Sequence, residues 1–252
     1  MNAKKYVLLL FLLGIFMPYS AKALETENSA TMNTDSYENT KYFKTVTLLN
    51  QYETLSNSLD SKQTFTTEIS ADEFYNDNVY EPQLSDNIIV STKKLTVYLT
   101  KRSSSQYDYK AVAEWRKIPS IRTYETIGLG YYPSVKPLSV PDFEQYYCIS
   151  GSGCYSQTAG WRTTTTSTGT AATFYLPSGD LTTLKHTFET TIIKTDPSSV
   201  IIRQEAVASY AEATEEITYN QSKSFTISTD GLIYSTTKYN VATVGVEWSG
   251  SW

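Results

Sequence analysis

From Asp86 onward the apolar positions of the chain recur every second residue. Leu95, Val97 and Leu99 alternate with Thr96, Tyr98 and Thr100, which is the pattern of a half-buried strand. Ile89, Ser91 and Lys93, just upstream, alternate poorly. After Ser103-Ser104-Ser105, a second face is formed by Tyr107, Tyr109, Ala111, Ala113 and Trp115, and a third strand is expected over about 122–132. The three are expected to form a meander. Pro133, Pro137 and Pro141 then punctuate a stretch that is either a loop between two sheets or a boundary between two subdomains. Strand-like runs recur at 143–149, 160–166, 170–176, 186–195, 200–213, 222–228, 232–238 and 241–248. Turn signals at Pro177–Asp180, Asp196–Ser199 and Thr229–Gly231 separate many of them. Many short strands with regular turns predict an all-β fold, an antiparallel β-sandwich over 86–252.

Residues 24–85 read differently, as a polar, partly helical N-terminal segment. Positions 24 to about 40 are rich in Thr, Asn, Glu and Ser, and are expected to be flexible. Phe43, Val46, Leu48, Leu49, Tyr52 and Leu55 fit a helix or a strand equally well. Ser70-Ala-Asp-Glu-Phe74 predicts a short helix, with Ser70 as cap, acids in the first turn and Glu73 at the capping-box position.

Residues 1–23 follow a third pattern. Lys4 and Lys5 precede an apolar run from Val7 to Met17, then Pro18 and Ala21-Lys22-Ala23. That is the order of a secretory signal peptide, with cleavage expected between Ala23 and Leu24. The run is too short for a membrane span, which needs about 20 residues. An uncleaved anchor is the alternative. With no Cys near the cleavage site, no second apolar stretch and no sorting signal in Gly245–Trp252, the expected destination is extracellular, without a stable membrane anchor.

Charge narrows the partners. The chain has 21 Lys+Arg and 26 Asp+Glu; losing Lys4, Lys5 and Lys22 with the leader leaves a net charge of −8. Nucleic acids and anionic membranes are held by basic patches, so neither is an expected partner. The pairs Lys93-Lys94 and Lys101-Arg102 read as solvated surface. Tyr (21) outnumbers Phe (9), which suits sheets with one wetted face, since Tyr buries a ring and leaves its hydroxyl in water. The only cysteines, Cys148 and Cys154, flank Ile-Ser-Gly-Ser-Gly, a loop able to reverse the chain. Outside the membrane such a pair predicts a disulfide across the ends of a hairpin, worth about 2 kcal/mol.

Candidate chemistry is sparse. One His and two Cys do not supply four zinc ligands, and the acidic stretch from Asp72 to Asp86 lacks the ligand spacing of a calcium loop. No metal or other cofactor is expected, and no Gly-rich phosphate loop follows a strand. His186 is the lone His; Gly151-Ser152-Gly153 is no nucleophile elbow, so a hydrolase triad is not supported. His186 reads as a residue at a strand edge, where an apolar face meets solvent. Asp72-Glu73, Asp142-Glu144, Glu205, Glu212 and Glu215-Glu216 are candidates for a glycosidase carboxylate pair, which must sit about 5–9 Å apart. Trp115 is expected to be buried, with Arg116 or Arg122 stacking on it or pairing with Glu125; Pro119 should end that strand.

Glu114-Trp-Arg-Lys-Ile-Pro-Ser-Ile-Arg122, followed by Glu125 and an apolar strand, resembles a Trp-x-Lys-x-Pro-x-x-Arg stretch in an uncharacterised family of secreted Firmicutes proteins from bacilli and clostridia. Ala208–Thr214, Ser222–Ser228 and Gly231 are similar to the C-terminal half of that family, which often has His where this chain has Ala211. The resemblance spans about residues 88–250 and implies a secreted β-protein; it supplies no activity. The function expected is therefore a secreted, non-catalytic protein that binds an unknown extracellular partner, protein or glycan, with Trp161, Trp248 and Trp252 as possible contact aromatics. The alternatives are a β-pore-forming toxin, and then a secreted carboxylate-dependent hydrolase.

Overall fold

The structure, a computed structural model, describes residues 36–48, 63–76 and 88–249. Residues 1–23, read from sequence as a signal peptide, the expected Ala23–Leu24 cleavage site, Trp252 and most of the Asp72–Asp86 stretch lie outside the described residues.

Period-two segments become antiparallel strands throughout. β1 (Ser36–Leu48), β2 (Gln63–Ile69), β3 (Ile88–Ser103), β4 (Gln106–Lys117), β6 (Val135–Pro137), β7 (Asp142–Ile149), β8 (Gly153–Gln157) and β11 (Leu181–Lys194) form one sheet, in the order β2-β1-β3-β4-β11-β7-β8, with β6 also pairing β11. A second sheet has the order β15-β12-β5-β10-β9, from β5 (Tyr124–Gly130), β9 (Arg162–Thr166), β10 (Gly169–Tyr175), β12 (Arg203–Ala213) and β15 (Tyr239–Ser249). The inner faces pack as a β-sandwich over one main core. From the large sheet it takes Leu95, Val97, Leu99, Tyr107, Tyr109 and Phe188; from the small sheet Ile127, Leu129, Phe174, Tyr210 and Val244.

The small sheet is covered on its other face as well. Between β12 and β15 the chain forms α2 (Tyr219–Ser222) and the hairpin of β13 (Phe225–Ser228) and β14 (Gly231–Tyr234). Ile227 and Leu232 pack there against Ala171, Ala211 and Ala213, making a second core. Burial on both faces explains the run of small residues in Ala206-Val-Ala-Ser-Tyr-Ala-Glu-Ala213. It also explains the strand glycines: a Cβ on Gly169 would lie 2.1 Å from Ile227 Cγ2, and one on Gly130 would lie 2.6 Å from the Ser228 carbonyl oxygen.

Three differences from the sequence pattern have physical reasons. β1 pairs with both β2 and β3, so residues before 86 extend the large sheet. β1 carries Glu38, Lys41 and Lys44 among its Thr and Tyr residues and so looks polar, yet it buries Phe43 and Thr45. β5 does not complete a meander: after Pro119 the chain crosses to the small sheet, where β5 pairs β10 and β12. The proline-rich stretch is the return crossing, which delivers β6 and β7 to the large sheet. The short helix forms as expected (α1, Ala71–Tyr75), with Ser70 Oγ accepting the Glu73 amide. Cys148 stands opposite Cys154 in the β7–β8 hairpin, and the two are disulfide-bonded.

Candidate functional site: an open sheet face above a buried proton network

On the inner face, the residues in phase with the apolar positions include several polar ones. Lys93 continues the face of Leu95, Val97 and Leu99 and is 1 % exposed, which corrects its reading as solvated surface. Its ammonium lies 2.5 Å from Glu212 Oε2, with Ser91 Oγ donating to Glu212 Oε1 and Thr45 Oγ1 to Oε2. The poor alternation of Ser91 and Lys93 is thus the signature of a buried ion pair, whose partner lies 119 residues away. Lys93 also sits 4.7 Å from the centre of the buried Trp115 ring, the stacking position expected of an arginine.

His186 is the second correction. It is fully buried at mid-strand: β4 and β7 pair both edges of β11, and on the inner face Phe143, Phe174 and Tyr210 pack around its ring. Its Nε2 is 2.9 Å from Gln145 Oε1, and its Nδ1 is 3.1 Å from the Tyr210 hydroxyl, which also bonds Glu125. Gln145 Nε2 donates to the Tyr175 carbonyl. Burial pulls the His186 pKa down to about 3, so the ring is neutral. A neutral imidazole has one donor and one acceptor. Gln145 Oε1 requires Nε2–H; Nδ1 is then the acceptor and takes the Tyr210 proton. The Tyr210 oxygen can then bond Glu125 only if Glu125 donates, so Glu125 is protonated. Burial, reinforced by the neighbouring Glu212 charge, agrees: it pushes the Glu125 pKa up to about 8. The network is enclosed, so His186 and Glu125 touch no solvent-borne substrate.

Among the described residues, nothing covers the outer face of the large sheet. Register sets its side chains in rows across the strands. One row reads Lys94, Glu114, Lys185, Tyr146; another reads Tyr98, Lys110, Glu189, Asp142. Cross-strand neighbours of opposite sign pair: Glu114 lies 3.0 Å from Lys185 and 3.7 Å from Lys94, and Lys110 lies 3.3 Å from Glu189. At one end Arg102 pairs with Asp108 at 3.5 Å. Asp142 faces Glu189 directly, a like-charge juxtaposition that costs stability.

This face holds two depressions, of about 760 and 750 Å³, which share Lys110, Asp142, Lys185 and Glu189 as lining. The second is also lined by Trp161, Tyr146 and Glu144. Trp161 is half-buried: its ring packs on Phe143 with centroids 5.6 Å apart, and its Nε1 donates to the Thr158 carbonyl. Of the aromatics singled out from sequence, Trp161 thus lines the open face, whereas Trp248 is buried against Tyr107 in the core. Among the candidate carboxylates, Glu212 is buried in its ion pair and Glu205 accepts the Tyr132 hydroxyl, while Asp142 and Glu144 line the face. Sequence reasoning left the outer residues of β3, β4 and β11 unassigned, because one period-two charged face looks like any other wetted face.

No protein-family model matches the chain, and a search of curated proteins finds no match.

Proposed function

We propose that this is a secreted, non-catalytic binding protein that engages an extracellular partner through the outer face of its large sheet. The observation that carries the reading is the pair of contiguous depressions joined by Lys110, Asp142, Lys185 and Glu189, on a face whose side chains are already ordered by cross-strand pairing. Ordered side chains lose little entropy on binding. The signal-like leader, the resemblance to secreted Firmicutes proteins and the Cys148–Cys154 bridge support an oxidising, extracellular setting.

The pore-forming alternative fares worse on register. Continuing the β12–β15 ladder beyond Ala213 and Tyr239 would set Tyr219 opposite Ile233, whereas the hairpin pairs Thr226 with Ile233. The segment between β12 and β15 therefore cannot simply unfold into a longer hairpin while keeping both pairings. The extended ladder would also place Glu215, Gln221 and Lys223 on the face with Ile217 and Tyr219, so neither face would be apolar. A hydrolase reading would have to draw its carboxylate pair from Asp142, Glu144 and Glu189, of which Glu189 is held by Lys110 and Glu144 accepts the Ser156 hydroxyl.

The test is co-sedimentation of the secreted protein with insoluble bacterial cell walls and with matrix-coated beads, comparing wild type with Lys110→Ala/Glu189→Ala. Retention of wild type, loss in the double variant, no new reducing ends and no dye release from liposomes are expected. Sugar release or vesicle leakage would replace this reading with one of its alternatives.

A further inference from the structure

Resting on that reading, we infer that the occupant of the outer face is a neutral polysaccharide chain, with Trp161 as its stacking platform. The charges argue for neutrality. The lining cations on the central rows are matched by acids: Lys94 and Lys185 both contact Glu114, and Lys110 contacts Glu189. An anionic polymer would have to displace these acids and would meet Asp142, which has no ion pair among the described residues. A cationic polymer would meet the lysines on either side of each acid. A neutral polyol meets neither cost, because each hydroxyl can donate to a carboxylate and accept from an adjacent ammonium without breaking the pair. The Asp142–Glu189 juxtaposition, unfavourable in the empty face, places two acceptors side by side where both depressions meet. Vicinal hydroxyls of a sugar ring can donate to two such adjacent acceptors.

Trp161 supplies the apolar contact that such rings need. Its indole packs at a tilt of 53° against Phe143, which itself stacks on Phe174 in the core at 4.6 Å. Its polar edge is satisfied by Thr158. The ring is therefore fixed before a ligand arrives, and its remaining surface lines the depression beside Tyr146, which is 37 % exposed. Sugar rings present C–H faces to aromatic planes, so a fixed, partly buried Trp next to charge-neutral rows of donors and acceptors fits a polysaccharide better than a protein surface. The two depressions share Lys110, Asp142, Lys185 and Glu189, so a chain can continue from one into the other.

The experiment is affinity electrophoresis of the secreted protein in gels containing a neutral glucan, a neutral mannan, polygalacturonate or chitosan. Wild type is compared with Trp161→Ala, Trp161→Phe and Asp142→Asn, and thermal melts check that each variant is folded. Retardation by a neutral polymer is expected to persist as salt is raised, to fall about tenfold or more for Trp161→Ala, and to recover in part for Trp161→Phe. Retardation only by polygalacturonate or chitosan, abolished by the same variants, would overturn the neutral assignment while leaving the face as the binding site. Binding of any polymer that is indifferent to all three variants would overturn the face itself. No retardation by either neutral polymer would reject the inference, and the cell-wall and bead assay then decides the broader reading separately.

Discussion

His186, Tyr210 and Glu125 show how one buried residue constrains the next. The imidazole fills space among Phe143, Phe174 and Tyr210 and satisfies two polar partners, so His186→Ala leaves both a cavity and orphaned groups. We expect a loss of about 3 kcal/mol in urea unfolding; an unchanged midpoint would contradict the geometry. Glu125 acts on pH dependence. An unfolded Glu loses its proton near a pH of about 4.3, whereas the folded one keeps it to about 8. Its contribution is therefore full below the unfolded value and is lost as pH rises through the folded one. His186 runs the other way: its pKa is depressed, so stability is lost as pH falls from the unfolded value of about 6.5 toward its folded value of about 3. Glu125→Gln can still donate to Tyr210 and cannot ionise. Its advantage over wild type should be smallest below about pH 4, where the unfolded Glu is protonated as well, and largest at pH 9 in chemical denaturation. Parallel pH profiles for the two proteins would show that Glu125 is not the group responsible.

At the scale of elements, the β13–β14 hairpin tests whether close backbone approach explains the glycines. A Cβ at Gly169 meets Ile227 Cγ2 at 2.1 Å and the Leu129 carbonyl oxygen at 2.7 Å. Gly169→Ala should cost about 1–3 kcal/mol through overpacking, and Ile227→Ala in the same chain should recover part of it, because one of the two clashes is with that side chain. Additive losses in the double variant would mean the hairpin does not sit as closely as the geometry requires. Gly231, with φ 103°, is a different case: it occupies the left-handed region at the hairpin turn, and a Cβ there would also lie 1.9 Å from Ser209 Oγ.

For the whole molecule, the sheet order makes β1 indispensable. It fills the position between β2 and β3, pairs with β3 along its entire length, and brings Thr45 to Glu212. A chain shortened to residues 86–252, the sandwich outlined by the change of period, would leave β3 as a bare edge and the Lys93–Glu212 pair open on one side. It is expected to aggregate or to lose the cooperative melt of the full chain. A soluble, cooperatively melting 86–252 would show that β1 is an accessory strand.

Period-two apolar runs and turn residues determined the all-β class, most of the strands after residue 86 and the β7–β8 disulfide, because each depends on neighbours a few residues apart along the chain. Trp161 could be named from sequence as a large aromatic in a polar context, though not distinguished from Trp248, since the same residue type fills cores and lines surfaces. Only the tertiary structure decided what the polar residues do. Ser91 and Lys93 look solvated until Glu212 arrives from the opposite sheet, and His186 looks like an edge residue until β4 and β7 pair on both its sides. The charged rows of the outer face exist only once register aligns β3, β4, β11 and β7. Burial and charge pairing are relations between strands far apart in sequence, and a one-dimensional pattern records each side chain without its partner.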